Sequence, residues 1–201
     1  MSKLSPGQKI LYNDLEARLN LSKTPIISAL NRLESEGYVY PKKNAGYFIK
    51  EINVEEVIQV LEARVILEVA NLDNVIKNQN SITMKNLEKA HYEYVSYNSQ
   101  LFDRKKSLLN SKFHVQLSRV GKNDFIIKYI EHLYEWIDLR FRFSAVPPIR
   151  VRQSEAEHGE IIKSIREKDI TEAKKLLRNH LKAPVPFIIN NLINEEKILA
   201  F

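Results

Sequence analysis

Long stretches of helix-forming periodicity run from Asn53 to the end of the chain, and this pattern constrains the fold of the 201 residues more than any other feature. The first stretch repeats an apolar residue at Val57, Leu61, Val65 and Val69, which is the spacing that one helix face presents to a core. Strand-like alternation is absent from this part of the chain. The same periodicity predicts an antiparallel helical bundle with further helices at about residues 82–103, 105–120, 124–143, 155–168 and 170–181.

Residues that start or stop helices separate these segments. Gly121, the pair Pro147-Pro148 and Asp169 lie between successive predicted helices, where glycine, proline and a capping aspartate are expected. Pro184 and Pro186 stop the helix at 170–181. They leave a C-terminal extension from about residue 184, which we expect to form a short docking or dimerisation helix.

The composition excludes several classes of protein. The chain has no cysteine, so disulfides, thiolate zinc sites and cysteine nucleophiles are ruled out. No apolar run approaches the ~20 residues that span a bilayer, and the N-terminus has no apolar signal segment. We therefore expect a protein with no membrane partner and a cytoplasmic location.

The first 50 residues follow a different plan. Helical spacing predicts a short helix at 10–19, and Ser22 or Thr24 caps a second helix that accepts Pro25 in its first turn and ends at Gly37. The β-prone segments 38–40 and 47–49 flank a turn. The chain is therefore predicted to be mainly α-helical, with a winged helix-turn-helix domain at residues 1–50 and an all-α helical bundle at residues 51–201.

Positive charge is concentrated in the first of these domains. Of the 31 basic and 25 acidic residues, 8 basic and 4 acidic ones lie in residues 1–50. In a winged helix, the second helix enters the major groove of DNA while Lys42 and Lys43 of the hairpin turn reach phosphates. A small solvated basic face would have the same composition, and the charge count leaves both interpretations open.

Three of the five histidines have spacings that favour a shared site. His158 and His180 lie equally far before and after the turn at Asp169, so an antiparallel helical hairpin brings them to the same level on nearly the same face. His114 follows Asn110 by one helical turn on an otherwise apolar stripe. Three imidazoles and one oxygen donor suit a divalent transition metal such as zinc or nickel. The alternative is a set of ordinary core histidines, each with a hydrogen-bond partner.

Two segments of the chain also match the pattern of a known family. The first segment, residues 19–49, contributes Leu21, Ser22, Lys23, Thr24, Pro25, Ala29, Leu30, Arg32, Leu33, Glu34, Glu36, Gly37 and Gly46. The second contributes Phe113, His114, Glu157, His158, Ile161, Ile162, Ile165, Asp169, Ala173 and His180. Together they resemble GntR-family bacterial transcription regulators of the FadR-like subgroup, in which a winged helix precedes a helical effector domain called FCD.

The resemblance implies a function for the second domain. It implies an FCD-like ligand-binding and dimerisation domain whose cavity holds a metal and a small carboxylate effector. The implied metal ligands are Asn110, His114, His158 and His180, with asparagine at a position where the family usually has aspartate. Arg64 matches an arginine that faces the cavity, and a guanidinium suits a carboxylate. The alternative for Arg64 is an ion pair with Glu68 on the helix surface.

The resemblance also implies that a homodimer binds operator DNA through the first domain. The residues expected to contact DNA are Ser22, Lys23, Thr24, Ser28, Arg32, Lys42 and Lys43. Similar proteins often have arginine at the positions of Asn13, Lys23 and Ile27. The family has a further helix before Pro6, so we expect the first domain to be shortened, with its first helix missing.

These features lead to one principal hypothesis and two alternatives. The principal hypothesis is a ligand-responsive transcription regulator, a repressor rather than an enzyme, that changes its DNA binding when effector is bound. The first alternative is a metabolite-binding module that has lost DNA recognition. The second is a metal-dependent hydrolase built on the three histidines, although no acidic residue is placed by motif as its general base.

Overall fold

The computed structural model describes residues 7–51, 53–98, 102–140 and 146–199, and it divides into two compact units, Met1–Asn53 and Val54–Phe201. The first unit contains α1 (Tyr12–Leu19), α2 (Lys23–Ser35), β1 (Val39–Lys42) and β2 (Gly46–Ile49). The second contains α3 (Val54–Asn78), α4 (Ser81–Ser96), α5 (Arg104–Val120), α6 (Asp124–Arg140), α7 (Pro148–Arg166), α8 (Ile170–Lys182) and α9 (Val185–Leu199). The prediction of a mainly α-helical chain with a small hairpin is confirmed.

The first unit has the predicted winged-helix organisation. β1 and β2 pair antiparallel from Val39 opposite Ile49 to Lys42 opposite Gly46, and the tight turn places Gly46 at φ +89°, which glycine adopts readily. The core consists of Ile10, Ile26, Leu30 and Val39. Ser22 stands immediately before α2, but its side chain makes no capping hydrogen bond.

The second unit is a bundle in which α3 packs against α5, α6, α8 and α9, and α7 packs against α4 and α8. Its core is built from the apolar stripes of these helices, as the periodicity predicts. The buried apolar residues at its centre, all with exposures below 3%, include Leu72, Val75, Leu87, Phe113, Leu117, Val120, Ile161, Ile165, Ala173 and Leu177. The bundle brings α3, α5, α7 and α8 around one interior region.

Several helix ends differ from the predicted ones. α4 ends at Ser96, before the predicted end at residue 103, and Asp103 instead caps α5 by accepting a hydrogen bond from the Lys106 backbone N–H. α7 begins at Pro148, well before residue 155, since proline fits the first turn of a helix. Asp169 caps α8 as predicted. The expectations for residues 1–6, 99–101, 141–143 and 200–201 lie outside the described residues.

No helix in the described ranges is both long enough and apolar enough to cross a membrane.

Candidate metal centre and adjoining cavity

The structure brings three of the predicted ligands together in the second unit. His114 on α5, His158 on α7 and His180 on α8 are exposed by 0%, 0% and 5%. Their ligand atoms all lie within 4.8 Å of one another. The Nε2 atom of His180 lies 3.1 Å from the Nε2 atoms of both His114 and His158.

Helix packing explains why these rings meet. α7 and α8 form an antiparallel pair around the turn at Asp169, so His158 and His180 reach the same level, as their spacing predicts. α5 packs against α3, and His114 points inward from it with zero exposure. Phe113 stacks on the His158 ring with 3.8 Å between ring centroids and closes one side of the cluster to water.

Two carboxylates fix which ring nitrogens carry protons. His114 Nδ1 donates to Glu68 at 2.7 Å, and His180 Nδ1 donates to Glu157 at 2.6 Å. A carboxylate only accepts hydrogen bonds, so in the neutral rings both Nε2 atoms are unprotonated lone pairs. Two lone pairs facing each other at 3.1 Å cannot share a hydrogen bond, and they repel unless a cation lies between them.

The electrostatics of the site favour neutral imidazoles at pH 7. Burial lowers the pKa of His114, lowers that of His180 to about 4, and lowers that of His158 well below the ordinary value. Neutral imidazole is the form that binds metals. A tetrahedral zinc with Zn–N bonds of ~2.0–2.1 Å would hold its nitrogens ~3.3 Å apart, close to the observed 3.1 Å. The three histidines therefore fit a divalent transition metal.

Glu68 lies at the centre of a buried network between α3, α5 and α6. Arg64 Nε and the Tyr134 hydroxyl each donate to it at 3.1 Å, in addition to His114. Burial alone would raise the pKa of Glu68, but its interactions with His114, Arg64 and Tyr134 lower it to about 2. Glu68 therefore remains an anion in the interior. The alternative for Arg64, an ion pair with Glu68 on the helix surface, is correct in its partner and wrong in its location, because the pair is buried.

Glu157 performs the same role for His180 from the neighbouring helix. It also pairs with Arg150, whose Nη1 donates at 2.7 Å and whose Nη2 donates to its other oxygen. Burial again opposes ionisation, but hydrogen bonds from His180 and Arg150 lower the pKa of Glu157 to about 2. Because Glu157 and His158 are adjacent on α7, their side chains leave the helix in different directions. Glu157 nevertheless reaches the site because it contacts the His180 ring on α8.

A cavity of about 60 Å³ adjoins the cluster. Its walls include Arg64, Asn110, Arg150, His180 and Tyr94. Arg64 therefore lines the cavity, as the family resemblance implies, and it is also paired with Glu68, as the alternative interpretation states. Asn110 is half-buried and lines the same cavity, one helical turn before His114.

The residues expected to contact DNA are all exposed on the first unit. They are Ser22, Lys23, Thr24, Ser28, Arg32, Lys42 and Lys43. Arg32 pairs with Glu36 through a 2.8 Å contact on the surface of α2, and Lys42 lies over the Phe48 ring. Ile27, where similar proteins often have arginine, is half-buried, and Asn13 is exposed.

Four residues at the site were missed or misplaced by sequence reasoning: Glu68, Tyr134, Arg150 and Glu157. Glu157 directly precedes a candidate ligand and Glu68 follows Arg64 by one helical turn, so both gave a local signal. Tyr134 gave none, because its contact with Glu68 crosses between helices. Arg150 contacts Glu157 two turns further along the same helix, α7, and that spacing was not recognised as a signal. The His91 ring lies 6.0 Å from the His158 ring, measured between ring centroids. His132 is exposed on α6.

Comparison with known proteins places the chain among regulators. A family model described as the FCD domain matches residues 59–183. The Nta operon transcriptional regulator of Aminobacter aminovorans is 25% identical over 152 residues, which cover 68% of each chain. The HTH-type transcriptional repressor GlaR of Escherichia coli is 22% identical over 193 residues, covering 91% of this chain and 87% of that one.

Solved structures of similar fold include regulators as well. Escherichia coli McbR/YncC has a TM-score of 0.76 at 16% identity, with 94% of this chain and 90% of that chain covered. A putative transcriptional regulator GntR from Rhodococcus has a TM-score of 0.68 at 18% identity, covering 92% and 88%. These relatives and neighbours are transcription regulators and not enzymes, so the hydrolase alternative has no support among them.

Proposed function

Because this chain belongs to the FCD-domain family and is a transcription regulator of the FadR-like GntR type, we propose that it is a repressor whose DNA binding responds to a small carboxylate. In this proposal a homodimer binds operator DNA through residues 1–50, and residues 51–201 bind the effector beside a divalent metal. Metal, effector and dimer interface would all belong to the helical unit.

The observation that carries the metal-dependent part is the pair of unprotonated Nε2 atoms of His114 and His180 at 3.1 Å. With His158 they would form the metal site, and zinc and nickel are among the divalent cations that imidazole ligands suit. When bound, the cation would accept the imidazole lone pairs and attract an anion. Asn110 would add a neutral amide oxygen, which leaves the charge of the cation unbalanced and favours an anionic effector.

Arg64 would bind the effector carboxylate from the cavity wall. Arg64 is 7% exposed, and its guanidinium is held in place by Glu68 and Tyr134. A guanidinium orients a carboxylate by parallel hydrogen bonds, and holding it rigidly reduces the entropy lost on binding. The dimer would have one arrangement that binds DNA and another that does not. Effector binding would change DNA affinity only if the effector binds these two arrangements with different affinities.

DNA binding would use the exposed polar residues at the start of α2 and the hairpin tip. Lys23, Lys42 and Lys43 would bind phosphates, while Ser28 and Arg32 on α2 would face the major groove. The start of a helix also attracts a phosphate. This set excludes Ile27, whose side chain has no hydrogen-bond donor.

Selection of DNA duplexes from a random-sequence library with the metal-loaded protein tests this function. We expect a selected site with two half-sites, and an affinity that falls steeply with salt. The double variant Lys42→Ala/Lys43→Ala should reduce the slope of log affinity against log salt concentration by about 1–2. The control double variant Lys85→Ala/Lys89→Ala, at two exposed positions on α4, should leave this slope unchanged. Failure to select any duplex at low salt would refute DNA binding by this chain.

One observation favours the alternative of a module without DNA recognition. Arg32, the only arginine in the predicted DNA-contacting set, is paired with Glu36 on the surface of α2. Under this alternative, Asn13→Arg/Ile27→Arg should create duplex binding that the natural chain lacks. Sedimentation tests the dimer separately, since a homodimer has twice the 23.5 kDa of one chain.

A further inference from the structure

An apolar stripe runs along the exposed side of α6. Phe125 and Leu139, near the two ends of the helix, are 78% and 60% exposed, and Tyr129 between them is 60% exposed. Their sequence positions place the three side chains on one side of the helix, in the pattern of a helix that packs along a second helix. These three residues form the α6 stripe. Monomeric proteins rarely expose a continuous apolar surface, so the α6 stripe has the properties of an interface.

The opposite side of α6 packs into the bundle. Ile130 is fully buried, and the Tyr134 ring stacks on the His114 ring with 5.3 Å between ring centroids. Trp136 lies in line with the α6 stripe, but it is 6% exposed and therefore packs against its own chain. These contacts fix α6 in the bundle, so a rigid helix holds the α6 stripe at the surface.

Two other helices carry exposed apolar residues in a different arrangement. On α4, Ile82 and Tyr92 are 72% and 71% exposed, but the exposed Lys85 and Lys89 lie between them. The C-terminal helix α9 packs against α3 and buries Ile188. Among the described residues of α4 and α9, neither surface is as continuous as the α6 stripe.

Charged residues beside the α6 stripe indicate what binds to it. Lys128 and Glu135 are exposed, and they lie on the same flank of the stripe because they are close to two helical turns apart. The midpoint between them lies within one residue of the midpoint between Phe125 and Leu139. A second α6 that crosses antiparallel about a two-fold axis at this midpoint places each Lys128 near Glu135 of the other copy. The same axis places each Phe125 near Leu139 of the other copy.

We propose that α6 forms the dimer interface of the helical unit by pairing antiparallel with α6 of a second copy of this chain. This inference rests on the proposed function, which requires a homodimer but does not say which surface forms it. A two-fold axis makes the surface complementary to itself, because apolar residues meet along the stripe and opposite charges meet on its flank. An unrelated partner would not require charges placed symmetrically about the middle of the stripe.

Sedimentation of the zinc-loaded chain over a range of concentrations tests the apolar part of the interface. We expect a dimer, and we expect Tyr129→Glu to raise its dissociation constant about tenfold or more, because the variant buries a charge from each copy. Tyr92→Glu, at a tyrosine of similar exposure on α4, is the matched control and should leave the constant unchanged. Both variants should keep the helical content of the natural chain, since both side chains are exposed.

Charge reversal tests the antiparallel pairing. Lys128→Glu alone or Glu135→Lys alone places like charges opposite each other at two points, and we expect either variant to weaken the dimer about tenfold. The double variant Lys128→Glu/Glu135→Lys restores opposite charges and should dimerise as the natural chain does. An equimolar mixture of the two single variants should contain more dimer than either variant alone at the same total concentration, because each supplies the charge that the other lacks.

The outcomes distinguish this interface from the function on which it rests. If the natural chain dimerises but Tyr129→Glu behaves like Tyr92→Glu, or if the double charge variant is as weak a dimer as the single ones, the α6 interface is refuted and the proposed homodimer stands. If the natural chain remains monomeric at every concentration, the proposed homodimer is refuted together with its interface.

Discussion

The Nε2 atoms of His114 and His180 face each other at 3.1 Å while each ring donates its Nδ1 proton to a separate carboxylate, Glu68 and Glu157. This arrangement leaves two lone pairs directed at one buried point. A carboxylate behind a histidine ligand both orients the ring and raises its basicity. The site is therefore organised for a cation by residues on α3 and α7 as well as by the histidines themselves.

Zinc is expected to stabilise the folded protein strongly. Binding at a thousandfold excess over Kd contributes about 4 kcal/mol, which for a chain of this size corresponds to a rise of roughly 8–16 °C in Tm. His158→Asn should remove most of this rise, whereas His132→Asn, on the exposed face of α6, should retain it. Differential scanning calorimetry with and without zinc measures the effect. Equal rises in both variants would contradict the three-histidine site.

Replacing Glu68 with glutamine is expected to weaken zinc binding about 10–100-fold. The substitution removes the charge that holds the His114 ring and leaves Arg64 buried without its anion. Glu62→Gln, at an exposed position on the same helix, is the control. Competition with a zinc-binding dye gives both dissociation constants, and similar values for the two variants would show that Glu68 does not position the ligand.

Replacing Asn110 with aspartate is expected to tighten zinc binding by about tenfold or more. A carboxylate is a better ligand for a divalent cation than a neutral amide, and it would neutralise part of the charge. Asn179→Asp, on the exposed face of α8, adds the same charge elsewhere and should have little effect. Zinc affinities of the two variants that are indistinguishable would exclude Asn110 from the coordination sphere.

The metal-free protein is expected to lose stability as the pH falls from 7 to 5. The pKa of His180 is about 4 in the folded state and ~6.5 when unfolded, so the unfolded state binds more protons in this window and the free energy of unfolding falls with pH. His180 alone accounts for a loss of about 2 kcal/mol at pH 5.

Urea denaturation of EDTA-treated protein at both pH values checks this expectation. His180→Gln should show a smaller loss than the natural chain. Glu68 and Glu157, with pKa values of about 2, lose their contribution only at lower pH, so they do not confuse the result. Stability that is unchanged or higher at pH 5 would contradict the lowered pKa of His180.

Much of the fold could be predicted because its signals are local. Capping residues such as Asp169 act within one or two turns, and the apolar spacing of a helix is present before the helix packs. Errors arose where two local signals competed. Asp103 was placed at the end of one helix and proved to cap the next, and Pro148 begins a helix at a point where a break was expected.

The sequence by itself determined the helices, the hairpin and the convergence of His158 with His180, because equal chain lengths on either side of one turn lead to the same level of an antiparallel pair. Only the tertiary structure decided the partners of those rings. Glu157 binds His180 on α8 in addition to Arg150 on its own helix, and Glu68 on α3 binds His114 on α5. Such contacts depend on the rotation and spacing of neighbouring helices, which long-range packing sets and no local pattern encodes.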